Sequence, residues 1–356
     1  MDIHIIEERS APDSLRGTVR KDLLCYNRGG LFLKEFKTLD EQIDILTNRG
    51  LVISDTERAK KYLLSQNYYN IINGYAKFFP RTGERYTKKT TFDEITSLYV
   101  FEREFKQTLL IGILEAETHL RAIFSYRFAE MYQNEPYAYL NIKCYEEEQT
   151  LPAIKTISSL AQTISNNLRQ KNGSIAHYVR KYKHVPIWVL VNYLNLGELR
   201  YLLLHAKKPL QNSIARDFTD FISQNISGNL APFPPETLNS FIDNINQVRN
   251  ICAHNNRILE FRCHQNAKYW KPLHSKYNLT PDDDKRSTYS VFITLQCFLS
   301  KHEYATLHNT SRKRIRTLSN KLKTISINDV LSKLGFPNDW HLTVDKIDQC
   351  KLKAKQ

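Results

Sequence analysis

The sequence predicts an all-α protein: a helical bundle with a small helical amino-terminal unit and a helical carboxy-terminal extension. Three observations carry this. Gly and Pro number only 11 and 12 in 356 residues, too few for a many-turned β sandwich. Apolar residues recur at helical spacing over long stretches, and no sustained two-residue alternation marks a sheet. Capping residues stand where those stretches begin. With 41% hydrophobic residues the chain can bury a substantial core, and its length leaves room for two or three packed units.

Residues 1–30 carry little pattern and read as a lead-in. An amino-terminal unit follows over 31–90. Thr38 and Glu41 form a capping box, Ile43 and Leu46 an apolar stripe, and Gly50 a helix stop. Ser54 and Glu57 form a second box before Ala59, Tyr62 and Leu63, and an aromatic helix runs from Tyr68 to Phe79, ended by Pro80. A short strand or two fits around 76–90. Thr91 and Glu94 then open a bundle domain over 91–306. Its first helix carries Leu98, Phe101, Phe105, Leu109, Ile113, Leu120 and Phe124 at helical spacing over about nine turns. Further helices are expected at about 151–171, 186–206, 236–260, 288–306 and 311–325. The last is strongly basic and belongs to the extension 307–356. There is no internal repeat.

Lys and Arg total 51 against 37 acidic residues, a formal net charge of +14. Such a surplus attracts polyanions; nucleic acid is the leading partner, an anionic membrane surface second, plain solubility the bland alternative. The start, MDIHIIEERS, has no apolar core and so reads as no export signal. The longest apolar stretch, Ile187 to Leu196, is broken by Asn192 and Asn195 and is too short to span a bilayer. The six cysteines are scattered without a C-x-x-C pair and read as reduced thiols. A cytoplasmic protein with no membrane partner is expected.

The candidate chemistry lies at 247–258, Q-V-R-N-I-C-A-H-N-N-R-I, where Pro235 and Glu236 begin a helix well. If that helix runs on to about 260, Asn250 and His254 share one face, Arg257 follows one turn later, and Ile245, Val248, Cys252 and Ile258 form the apolar face. Arg249 sits beside the polar stripe. A near-neutral imidazole can take the proton of a ribose 2′-hydroxyl or protonate a departing 5′-oxygen. A guanidinium can hold the phosphate and stabilise its added charge, and Asn250 can orient either group. That chemistry needs no metal or other cofactor. An arginine ahead of a histidine with four to six residues between them says little alone, since Arg200/His205 and Arg257/His264 match that spacing too. Arg249/His254 stands apart because Asn250, Asn255, Asn256 and Arg257 surround the histidine with polar groups, whereas leucines surround Arg200/His205.

R-N-I-C-A-H-N at 249–255 resembles the R-N-x-x-A-H motif of abortive-infection proteins of the AbiD/AbiF type, in the HEPN superfamily. L-D-E-Q-I-D-I-L-T-N-R-G-L at 39–51 and N-Y-Y-N-I-I-N-G-Y at 67–75 are similar to that family's amino-terminal region. V-P-I-W-V-L-V-N-Y-L-N-L-G-E-L at 185–199 resembles its P-x-W segment, and L-G-F-P-N-D-W at 334–340 its usual ending. The resemblance implies a HEPN-like bundle, defence against phage, and RNA cleavage by Arg249, Asn250 and His254 at a cleft between two copies of the chain. It also implies a structured noncoding RNA as a candidate partner. Glu117 and Arg121 resemble a polar E-x-x-x-R pair of relatives, or are a plain helix salt bridge; with Asn255 and Arg257 they are supporting candidates.

Arg312, Lys313, Arg314 and Arg316 are candidate RNA phosphate contacts, or a solvated helix face. Cys252, His254, Cys263 and His264 fit no familiar zinc spacing. Tyr68, Tyr69 and Tyr75 are read as core before base-stacking groups, and Trp188 as a packing anchor. The main rival to a nuclease is a non-catalytic RNA-binding protein on the same fold; a protein-interaction toxin with an incidental basic face is third.

Overall fold

The structure is a computed structural model and describes residues 34–348 apart from 171 and 229. The expected lead-in, 1–30, lies outside the described residues, as do Cys25 and Cys350. The first helix, α1 (Leu39–Asn48), begins on the expected box: Thr38 Oγ1 accepts the N–H of Glu41, whose carboxylate accepts the N–H of Thr38. It ends in a Schellman turn. The N–H of Leu51 reaches back to Leu46 O at 3.0 Å, and Gly50 takes φ +83°, which a residue with a Cβ rarely adopts. The second helix, α2 (Thr56–Gln66), departs from the Ser54/Glu57 expectation. Asp55 is its N-cap, accepting the Arg58 N–H at 2.9 Å, and Glu57 sits in the first turn where the helix dipole favours it.

Tyr68 to Phe79 is not one α-helix. A π-helical turn (Tyr69–Asn73) precedes a 3-10 turn (Ala76–Phe78), an irregular winding that lets the adjacent Ile71 and Ile72 both point inward. Tyr75 is core as expected, whereas Tyr69 is exposed. A hairpin of β1 (Arg81–Thr82) and β2 (Arg85–Tyr86) follows, turning at Gly83.

The 40-residue helix α3 (Phe92–Met131) opens on the Thr91/Glu94 box and spans about 60 Å. Its seven expected apolar positions are all buried. Later helices are α4 (Thr150–Leu168), α5 (Ser174–Tyr182), α6 (Ile187–Leu190), α7 (Leu196–His205), α8 (Lys208–Asp217), α9 (Thr219–Asn225) and α10 (Pro235–Ala253). They continue as α11 (Lys271–His274), α12 (Thr288–Thr294), α13 (Lys301–Ser319), α14 (Ile327–Leu334) and α15 (Trp340–Thr343). This is the all-α bundle that the composition predicts. α3 is its axis, with α6, α8, α10 and α13 packed against it.

Several expected boundaries move. The helix expected at 186–206 breaks into α6, a 3-10 turn and α7, because Asn195 and Glu198 form a new capping box inside the apolar run. In α6, Ile187, Val189 and Leu190 turn inward, which leaves Trp188 outward and 53% exposed; it is not a packing anchor. The helices expected at 288–306 and 311–325 become α12 and α13, since Ser300 and Glu303 cap a helix that starts at Lys301. α13 therefore crosses the expected boundary at 306 and lies along α3. The approach is close: a Cβ on Gly112 of α3 would come 3.2 Å from Leu307 of α13. The closing segment 334–340 seals the bundle, with Phe336 and Trp340 packed on Tyr289 and Phe292. One hydrophobic cluster runs from Ile43 to Trp340. No helix among the described residues is long and apolar enough to cross a membrane.

Candidate functional site

The site is set by where α10 stops. Ile245, Val248 and Cys252 face the core, which turns Asn250 and His254 to solvent. The helix does not run to 260. Asn255 takes φ +54°, a left-handed conformation that asparagine tolerates better than most residues. The N–H groups of Asn255 and Asn256 close on Cys252 O and Ile251 O, a second Schellman turn. His254 thus becomes the C-cap, its N–H bonded to Asn250 O at 3.0 Å.

Asn250 and His254 remain neighbours on the exposed side, but Arg257 does not follow them. Its guanidinium donates to the Gly74 carbonyl and lies 5.9 Å from the Phe78 ring centroid, tying the turn to the amino-terminal unit. The imidazole of His254 makes no hydrogen bond, ion pair or ring contact with the described residues, and stands open to an incoming group.

Arg249 is half-buried. Its Nε lies 3.8 Å from Glu117 Oε2, a charge contact too long for a hydrogen bond. Glu117 is 2% exposed, and its other oxygen accepts from Arg121, which also donates to Leu194 O at 2.7 Å. Glu117 and Arg121 are thus more than an isolated helix pair: a carboxylate on α3 stands between guanidinia from α3 and α10. Glu117 Oε2, Arg121 Nε and Arg249 Nε are buried without hydrogen-bond partners among the described residues. Arg249 is tethered by charge, and its terminal nitrogens, which make no hydrogen bond among the described residues, remain for another anion.

Two residues that the sequence reading passed over hold the turn after His254. The ammonium of Lys106 donates to Asn255 Oδ1 at 2.7 Å, Asn256 O at 3.0 Å and Asn255 O at 3.2 Å. Glu102 Oε1 accepts the N–H groups of Ile258 and Leu259 at 2.7 and 2.8 Å, while Tyr75 donates to its other oxygen. Both charges are buried, and burial raises the Glu102 carboxyl and lowers the Lys106 ammonium from their ordinary values. Their signal in the sequence is an E-x-x-x-K pair set beside the apolar stripe of Leu98, Phe101 and Phe105.

The remaining candidates scatter. Arg312 donates to Val344 O at 2.9 Å, and Arg314 bonds Thr108 and ion-pairs with Glu104, so both are engaged within the fold. Lys313 and Arg316 are exposed. Arg200 pairs with Asp243, and His205, 4% exposed, lies 3.0 Å from Thr156 Oγ1. Burial, then the Arg200 charge, lowers the pKa of His205. Cys252 and Cys263 face the core with thiols pushed up to about 12 by burial, away from the exposed His254 and His264. Glu115, His119 and Glu303 bring possible metal-ligand atoms within 4.8 Å of one another, but the His119 ring already bonds Phe298 O and faces Glu303.

No curated protein and no solved structure matches the chain. A family model described as Abi-like protein matches residues 61–260, a stretch holding Glu102, Lys106, Glu117, Arg121, Arg249 and His254 and ending just beyond the turn that caps α10. That is more than half of the chain, which therefore belongs to the Abi-like protein family.

Proposed function

We propose that this Abi-like chain acts in abortive infection of phage-infected bacteria as a metal-independent endoribonuclease of the HEPN type. The observation that carries the reading is the exposed end of α10. There His254 presents an imidazole without a partner among the described residues beside Asn250, and Arg249, held only by a 3.8 Å charge contact to Glu117, makes no hydrogen bond among them. In the reaction the 2′-oxygen of a ribose attacks the adjacent phosphorus and the bond to the 5′-oxygen breaks. His254 takes the 2′-hydroxyl proton or supplies one to the leaving oxygen. Arg249 stabilises the charge that builds on the phosphate. The products are a 2′,3′-cyclic phosphate and a 5′-hydroxyl, and DNA resists for want of the 2′-hydroxyl. Two copies of the chain meeting at their α10 ends form the working cleft, and an RNA partner regulates it.

The net charge of +14 and the exposed Lys313 and Arg316 support attraction to RNA. The test is RNA cleavage by wild type and His254→Ala in EDTA, with product ends mapped. Cyclic-phosphate ends from wild type alone support the mechanism. Salt-sensitive RNA binding with intact RNA in both samples points instead to a binding protein on the same fold.

A further inference from the structure

We infer that Lys106 is a positioning residue for His254, acting through the turn Asn255–Asn256 that ends α10. The inference rests on the reading of His254 as the general acid or base. An ammonium that is 4% exposed must find its partners inside the protein. All three donors of Lys106 point at oxygens of the two residues that follow His254. A core lysine with a purely structural role can satisfy its donors on any nearby carbonyls. Lys106 instead sits at the place where the chain must leave the helix in a left-handed turn at Asn255.

The bonds lock that conformation from the side chain and the backbone at once. Glu102, one turn earlier on α3, grips the next segment through the N–H groups of Ile258 and Leu259. α3 therefore holds the turn and the segment that follows it, while the imidazole of His254 has no partner among the described residues. The orientation of a C-cap side chain follows its backbone, so the clamp sets where the ring stands relative to Arg249. Arg249 depends on Glu117, about three turns further along α3, and not on Lys106.

Lys106→Met keeps the unbranched stem as far as Cε and removes the ammonium with its donors. Two readouts on the full chain test the role. Hydrogen exchange at the amides of His254, Asn255 and Asn256 is expected to quicken, while exchange in the core of α3 stays slow. RNA cleavage is expected to fall about tenfold to a hundredfold in kcat, as a small misplacement of a reacting group does, with KM changed less than about twofold. Lys106→Arg, which keeps a cation and donors, is expected to recover part of the loss. A folded Lys106→Met variant with faster exchange and unchanged kcat overturns the positioning role and leaves the ribonuclease reading intact. Unchanged exchange at 254–256 overturns the clamp itself, whatever the activity. If wild type cuts no RNA while exchange responds as expected, the ribonuclease reading fails and the positioning role falls with it.

Discussion

Arg200 and His205 stand five residues apart near the end of one helix, as Arg249 and His254 do at the end of another. The fates of the two pairs are opposite. In α7 the arginine is spent on Asp243 and the histidine is buried against Thr156. In α10 the arginine makes no hydrogen bond among the described residues, only the 3.8 Å charge contact to Glu117, and the histidine faces solvent without a partner among them. The helix exits differ too: α7 leaves through Ala206 in extended backbone, α10 through Asn255 in a left-handed turn. Spacing between an arginine and a histidine therefore does not make a site. What surrounds the helix end does.

The contrast breaks most readily at the histidines. His254→Ala is expected to lower RNA cleavage by about 10² to 10⁴-fold, the usual contribution of a general acid or base. His205→Ala is expected to spare the rate per folded molecule and cost about 1–3 kcal/mol of stability instead, from the lost bond to Thr156. Equal losses of activity would remove the distinction between the two helix ends. Next come the arginines. Arg249→Ala is expected to reduce kcat by about 10² to 10³-fold, whereas Arg200→Ala shifts the melting temperature and leaves kcat in place.

Acid sharpens the same contrast between buried and exposed histidines. His274, 1% exposed, has its pKa lowered to about 4 by burial, with the Lys285 charge acting the same way and a hydrogen bond at Trp270 opposing. Its unfolded value is near 6.5, so between pH 6.5 and 4 the unfolded chain binds a proton that the folded chain does not. Stability is full above pH 6.5 and falls as pH drops towards 4. For this group the loss is about 3 kcal/mol, from roughly 1.4 kcal/mol per pH unit. His205, lowered by burial in the same way, adds to the trend. Melting curves at pH 7, 6, 5 and 4 measure it, and a flat profile would contradict the burial of these rings.

The left-handed exit of α10 supplies a comparable effect. Asn255→Ala is expected to cost about 2–4 kcal/mol in urea unfolding, because alanine resists φ +54° and removes the Oδ1 that Lys106 bonds, and Asn255→Gly, which loses only the bond, less than that. The smallest expected change separates exposed from engaged cations on α13. Replacing both Lys313 and Arg316 by alanine should lower the slope of log affinity for single-stranded RNA against log salt by about 1 to 1.5. The same replacement of Arg312 and Arg314 should act mainly on stability, since their bonds are to Val344, Thr108 and Glu104.

Much of this organisation was legible in the residues. The Thr38/Glu41 and Thr91/Glu94 boxes, the Gly50 stop and the apolar stripe of α3 all appear where their spacing places them. These are local devices, complete within a few turns of chain. The Asn195/Glu198 and Ser300/Glu303 boxes were equally local but lay inside or beside long apolar runs that read as continuous helix. The exposed and polar character of His254 and Asn250 could be read from the apolar face of α10 opposite them. The departure of Arg257 could not, because it follows from Asn255 leaving the helix under the grip of Lys106, 149 residues away in the chain.

By itself the sequence determined the helices that carry long apolar stripes and clear caps, and the polar character of the α10 end, because periodicity and capping act between residues a turn apart. Only the tertiary structure decided which arginine is hydrogen-bonded to a carboxylate and which makes only a charge contact, and which histidine is buried and which exposed. It also decided which buried charges on α3 meet the turn after His254. Those choices depend on desolvation and on partners from distant segments, and no spacing along a single helix encodes them.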